Sequence, residues 1–274
     1  MIPAAFDYEV AESVDHAIEL LGADDDAKLL AGGHSLIPAL KLRVARPSKL
    51  IDIGRLSDLA YVRDAGTQLA IGALTRHQAV RDDALLQEHC PIVSTTAGVI
   101  GDPQVRHRGT IGGSLAHGDP ASDLPAVMLA LGAEMTIRGS GGERTVSAAD
   151  FFENVFQTAV GPGELLTEIR VPKLGASTGW SYLKHNRRAQ DWATVGVAAL
   201  VHRDNGNVEG ASIALTNMGA TPLRAKATED ALAGGAKPAD AAEHMADGTE
   251  PSSDLAASAE YRARLARVRE QLTR

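Results

Sequence analysis

The chain has 274 residues, with 27 Lys and Arg against 35 Asp and Glu, a formal net charge of −8 and only 4% aromatic residues. That length allows a sizeable core or two domains, while the acidic balance without blocks of like charge argues against nucleic acid as a partner. No apolar run suits a membrane span and no export leader is visible, so a cytoplasmic protein is expected.

Cys90 is the single cysteine. It reads as a small buried apolar residue, and any iron–sulfur cluster would have to belong to another chain.

In chain order, Val10 to Gly22 carries apolar residues at helical spacing, with Ser13 as a start signal and Gly22 as a stop. "AKLLAGG" reads as a short buried strand, "SLIPALKLRVA" as a helix with Pro38 in its first turn, and Lys49 to Leu56 as a second strand. Alternation then predicts a hairpin around Asp64-Ala65-Gly66. Helical stretches follow at "TRHQAVRDDALLQEH" and "PIVSTTAGVIG". Next come a helix ending at Gly132, a strand, a glycine turn, a further strand, and a closing strand in "GELLTEIRVPKL". A first domain of residues 1–174 is expected, with subdomains of about 1–56 and 57–174. Beyond the "GASTG" linker, residues 178–274 read as a second domain, a three-stranded antiparallel sheet with packed helices. Its hairpin is signalled by Asp204-Asn205-Gly206-Asn207.

Two glycine bends carry the chemistry. Gly32-Gly33-His34-Ser35 ends a strand just as a helix begins. Such a bend is either a tight strand-to-helix turn or a nest of peptide N–H groups for an anion, helped by the helix N-terminus. Ser35 suits a helix cap or a phosphate donor. Thr110-Ile111-Gly112-Gly113-Ser114 repeats the device, and two bends converging on one diphosphate would supply more donors than either alone. Neither bend fits a nucleotide-triphosphate loop or the dinucleotide fingerprint G-x-G-x-x-G. Asp119 and Asp123 suit helix caps, or contact with a hydroxyl-rich ligand. Arg106 and Arg108 suit anion attraction, or simply the surface.

"LLAGGHSLIPALKLR", "GDPQVRHRGTIGGSLAHGDPASDLPAV", "GELLTEIRVP", "SYLKHNRRAQDWATVGVAA" and "ALTNMGATPLRA" together resemble the FAD-binding medium subunit of the molybdenum hydroxylases. That family includes xanthine dehydrogenase and aerobic carbon monoxide dehydrogenase. The resemblance covers nearly the whole chain. It implies an α+β fold: a two-subdomain FAD-binding domain of the vanillyl-alcohol-oxidase type, then a small C-terminal α/β domain.

It also implies FAD held without a covalent bond. Leu29, Leu30, Ala31, Gly32, Gly33, His34, Ser35 and Leu36 would form a first cradle, and Thr110, Gly112, Gly113 and Ser114 a second. Asp123 matches an aspartate contacting the flavin nucleotide, Ile100 and Leu166 match apolar positions lining it, and Lys184 matches a lysine near the isoalloxazine. A cation there would favour the reduced ring; the alternative is a solvent-exposed lysine at a strand end. Tyr182 is either a further ring neighbour or a core aromatic, and Asp191 reads as a partner of Arg187 or Arg188. No catalytic residue and no metal ligand is assigned.

The implied task is electron transfer from [2Fe-2S] clusters of a small partner, through FAD, to an external acceptor, with substrate hydroxylated at the molybdenum cofactor of a large partner. The expected assembly is a dimer of heterotrimers. Carbon monoxide, a purine, an aldehyde and a heterocycle all suit the large partner. Two alternatives stand beside this reading: a self-contained oxidase with FAD covalently bound to His34, and a flavin-free scaffold subunit. Against the first, no arginine precedes the glycines and the stretch after Gly175 is short for a capping domain.

Overall fold

The computed structural model describes residues 1–204 and 207–271. The chain opens with a strand that the helical reading of Val10 had hidden, β1 (Asp7–Val10), before α1 (Val14–Gly22). Ser13 caps that helix, its hydroxyl accepting the His16 peptide N–H at 3.0 Å. Then come β2 (Lys28–Leu30), α2 (Leu36–Lys41) and β3 (Lys49–Asp52). The three strands form a parallel sheet in the order β1-β3-β2. Its core, Ala17, Ile18, Ile51 and Ile53, continues into Leu59 and Leu74, which flank the first hairpin of the following sheet, and into Leu165 of that sheet.

That second sheet is antiparallel. Its hairpin β4 (Val62–Ala65) and β5 (Gln68–Gly72) turns at Gly66, whose N–H donates to the Asp64 carboxylate. A helical layer follows: α3 (His77–Asp82), α4 (Ala84–His89), α5 (Pro91–Gly98), α6 (Pro103–Arg106), α7 (Ile111–His117) and α8 (Asp123–Leu131). The sequence reads α3 and α4 as one helix. They separate because Asp83 leaves the helical region and caps α4, accepting the Leu86 N–H at 3.0 Å. The chain then returns through β6 (Glu134–Gly139), β7 (Gly142–Ser147), α9 (Ala148–Phe151), β8 (Phe152–Asn154), β9 (Gln157–Thr158) and β10 (Leu165–Pro172). The sheet order is β4-β5-β10-β6-β7, which places β10 at the centre.

The remaining strands are β11 (Thr178–His185), β12 (Val195–Asp204), β13 (Asn207–Thr216) and β14 (Leu223–Arg224). They form one antiparallel sheet in chain order, the two-residue β14 extending the three expected strands. Of the hairpin signal, Asn205 and Gly206 lie outside the described residues; the strands flanking them pair at Asp204 and Asn207. One face of this sheet, with Val195, Val197, Ile213 and Leu215, packs on α10 (Lys226–Ala233), α11 (Pro238–Ala241) and α12 (Ala259–Gln271). The other face sends Tyr182, Ala198, Leu200 and Ala214 into the core of the preceding antiparallel sheet.

Helix α8 lies between the two. All nine of its residues are buried, which explains an apolar sequence with no polar face. The Ser212 hydroxyl donates to the Ala130 carbonyl, and the Asn217 N–H to the Pro120 carbonyl at 2.8 Å. Among the described residues no helix is long and apolar enough to cross a membrane.

Candidate functional site

The first bend follows β2. Gly33 holds φ at +81°, a conformation that L side chains rarely adopt. Gly32 is needed for another reason. A Cβ there would lie 2.2 Å from the Arg108 carbonyl oxygen and 2.8 Å from Gly109 Cα. The first bend therefore rests on the backbone leading into the second. A Cβ on Gly113 would in turn come 3.9 Å from the Ala31 methyl. The two bends meet.

Their donors are not equivalent. The second bend is the first turn of α7, which the sequence reading treats as a turn. Thr110 is its cap: its Oγ1 accepts the Gly113 N–H at 3.1 Å and its carbonyl accepts the Ser114 N–H at 3.1 Å. The Gly112 N–H donates to the Ala73 carbonyl at 2.8 Å, an approach that a Cβ would block at 2.5 Å from the Ala73 Cβ. These N–H groups are spent within the chain. In the first bend, the peptide N–H groups of Gly32, Gly33, His34, Ser35 and Leu36 have no acceptor among the described residues. Ser35 makes no side-chain cap bond, and its hydroxyl and that of Ser114 have no partner there either. A run of unspent donors beside a surface that tolerates no side chain suits a diphosphate.

Behind the contact sit two buried groups. His77, at the start of α3, is 4% exposed, its N–H donating to the Gly109 carbonyl and its ring facing the Gly109 Cα. Its Nδ1 has no partner. Burial, followed by the charges of His34 and Arg106, lowers its pKa from 6.5 to about 4. A folded-state value below the unfolded one means that the unfolded chain takes the proton first, so stability is lost as pH falls from 6.5 towards 4. The loss should reach about 3 kcal/mol. Urea unfolding across that window should show it, and His77→Gln should flatten it. Arg106, also buried, donates to the Gln78 Oε1 at 3.3 Å and the Ile100 carbonyl at 3.0 Å.

A third group joins the two domains. Asp123, the first residue of α8, is not a cap: Ser122 holds that position, and Asp119 instead accepts the Ala121 N–H. The Asp123 carboxylate accepts the Tyr182 hydroxyl at 2.7 Å on Oδ1 and the Lys184 ammonium at 2.8 Å on Oδ2. Lys184 also donates to the Val99 carbonyl at 3.2 Å. Its side chain is 5% exposed, so it is not the solvent-facing lysine of the alternative reading. Burial pushes the Asp123 carboxyl up, while Lys184 and Tyr182 pull it down. Burial and Asp123 raise the Tyr182 phenol well above its usual range, which keeps it a neutral donor. The Lys184 charge is compensated by Asp123, which weakens its expected role as a free cation for a reduced ring.

Leu29 and Leu30 sit half-buried in β2, His34 is exposed, Leu36 opens α2, and Ile100 and Leu166 pack on the main core. The backbone leading into the second bend and the Asp123 group connect through one segment, since Arg106 holds the Ile100 carbonyl and Lys184 the Val99 carbonyl. Sequence reasoning did not find the Val99 carbonyl, which no side chain signals, or the burial of Arg106. Arg187 and Asp191 form the expected pair at 4.0 Å. Cys90 is wholly buried, its thiol pushed up to about 12 by burial, which leaves it unreactive.

The two bends thus touch, and one of them presents a run of unspent donors, an arrangement suited to an anionic ligand. The model of the FAD binding domain in molybdopterin dehydrogenase matches residues 4–174, and that of the CO dehydrogenase flavoprotein C-terminal domain matches residues 180–269. The chain is 42% identical to the carbon monoxide dehydrogenase medium chain of Hydrogenophaga pseudoflava over 97% of its own length and 94% of that chain. It is 41% identical to the 6-hydroxypseudooxynicotine dehydrogenase complex subunit alpha of Paenarthrobacter nicotinovorans, over 98% and 93%. Its structure superposes on carbon monoxide dehydrogenase from H. pseudoflava lacking the Mo-pyranopterin moiety, with a TM-score of 0.96 at 43% identity over 99% of this chain and 96% of that one. The chain belongs to the FAD-binding medium subunits of the molybdenum hydroxylases. It is an oxidoreductase subunit that binds FAD, in a family whose molybdenum and iron–sulfur groups lie on other subunits.

Proposed function

We propose that the chain relays electrons between [2Fe-2S] clusters of a small partner and an external acceptor, in a dimer of heterotrimers whose large subunit carries the molybdenum cofactor. One observation carries the reading: two bends far apart in sequence touch at Gly32 and Gly109, with the donors of one left unspent. FAD, when bound, supplies the redox chemistry, and the protein supplies position and electrostatics. The Gly32–Leu36 N–H groups and the Ser35 and Ser114 hydroxyls hold the diphosphate. Ile100 and Leu166 present apolar surface to the flavin. Asp123 and Tyr182 fix Lys184 at the domain junction beside it. Substrate choice falls to the large partner: relatives of similar identity are named for carbon monoxide and for 6-hydroxypseudooxynicotine.

The native complex purified through this chain should show flavin absorption, contain molybdenum and iron, and carry a larger and a smaller subunit in equal amounts. Acid precipitation should leave the yellow colour in the supernatant. A yellow pellet would instead put the flavin on the exposed His34, and a colourless complex would favour the scaffold reading and sink this one.

A further inference from the structure

Two buried cations each hold a carbonyl of the Val99–Ile100 segment, and they differ in what neutralises them. Lys184 has a carboxylate at 2.8 Å. Arg106, 8% exposed, bonds only a side-chain amide oxygen and a peptide carbonyl, and no carboxylate pairs with it among the described residues. A buried charge without a counter-ion costs several kcal/mol, so its retention calls for an anion. Its position indicates which one. Arg106 ends α6, three residues before the Gly109 backbone on which the first bend rests. The unspent donors of that bend are neutral N–H and hydroxyl groups, so a diphosphate held there brings negative charge that they do not cancel.

We propose that Arg106 is the buried counter-charge for the diphosphate of bound FAD, with the Ile100 carbonyl and Gln78 fixing its guanidinium. This rests on the FAD reading above. The charge acts through a region of low dielectric, where solvent screens it little.

The test uses the full chain stripped of flavin and titrated with FAD, ADP and riboflavin, alongside R106Q and R106K. ADP carries the diphosphate without the ring, and riboflavin the ring without the diphosphate. R106Q should weaken FAD and ADP by the same factor, on the order of tenfold or more, and leave riboflavin unchanged. R106K should stay within a few-fold of wild type. Because R106Q removes an unpaired buried charge, its flavin-free form should unfold in urea no more readily than wild type. An R106Q chain that is destabilised or unfolded without flavin would show a structural role and overturn the proposal. Unchanged ADP affinity in R106Q, or R106K as weak as R106Q, would do the same. If R106Q weakens FAD and riboflavin alike with ADP untouched, the charge serves the ring and the proposal also falls. A wild-type chain that binds neither FAD nor ADP would remove the FAD reading itself, a result distinct from all of these.

Discussion

Gly32→Ala should yield a folded chain that purifies almost without flavin. The added Cβ would sit 2.2 Å from the Arg108 carbonyl oxygen, 2.8 Å from its carbon and 2.8 Å from Gly109 Cα. Every one of these atoms is backbone, so no side chain can swing aside. Relief requires the two bends to part. Overpacking of this kind costs about 1–3 kcal/mol of stability. Binding suffers more, because the donors of the first bend lose their place against α7. The flavin-to-protein ratio of the variant should fall to about a tenth of wild type or less, a change of at least about 1.4 kcal/mol in binding. Gly22→Ala serves as the control. Nothing lies within 4 Å of its added Cβ, so flavin content should not change. Full flavin content in Gly32→Ala would mean that the contact between the bends does not matter to the cofactor.

Asp123→Ala should produce the largest loss of stability among single substitutions in the site. It would leave the Lys184 ammonium, 5% exposed, with only the Val99 carbonyl as acceptor, and the Tyr182 hydroxyl without its partner. Breaking a buried pair from one side costs about 3–5 kcal/mol, because the remaining charge has neither water nor a counter-ion. Removing both charges is a different experiment. Asp123→Leu combined with Lys184→Met should recover most of that loss, since well-packed apolar residues often replace a buried pair at little cost. Urea unfolding of the single and double variants gives the comparison. A double variant no more stable than Asp123→Ala would show that the fault lies in packing or in the orphaned Tyr182 hydroxyl rather than in the unpaired charge. The ion pair joins α8 to β11, so a selective loss of contact between the two domains should accompany the single variant.

The two bends were legible in the sequence because glycine announces itself: it is the residue that permits positive φ and the closest backbone approach. Gly32-Gly33 and Gly112-Gly113 therefore stood out, and the structure brings both pairs to one place. The helical state of the second pair was hidden, since two glycines argue against a helix interior. Thr110 and the Ala73 carbonyl stabilise it there through contacts that lie outside the local pattern. Strand β1 was hidden for a related reason. Its four residues, Asp-Tyr-Glu-Val, are exposed or half-buried and too few for their alternation to stand out from the helical spacing that begins at Val10, and β3 defines them as a strand.

The Asp123 group marks the limit of sequence reasoning most clearly. Asp123, Tyr182 and Lys184 were each singled out, but as separate contacts with a ligand. Their bonds span 59 and 61 residues, and the Lys184 bond to the Val99 carbonyl spans 85. Separations of that size are set by how two sheets close over α8. Periodicity and local preference act over one or two turns of chain, so they determined most of the helices, the hairpins and the glycine bends of this protein. Which charge is neutralised, Lys184 by Asp123, and which is left without a counter-ion, Arg106, was decided by the tertiary structure alone, because burial and ion pairing depend on distances between residues far apart in the chain.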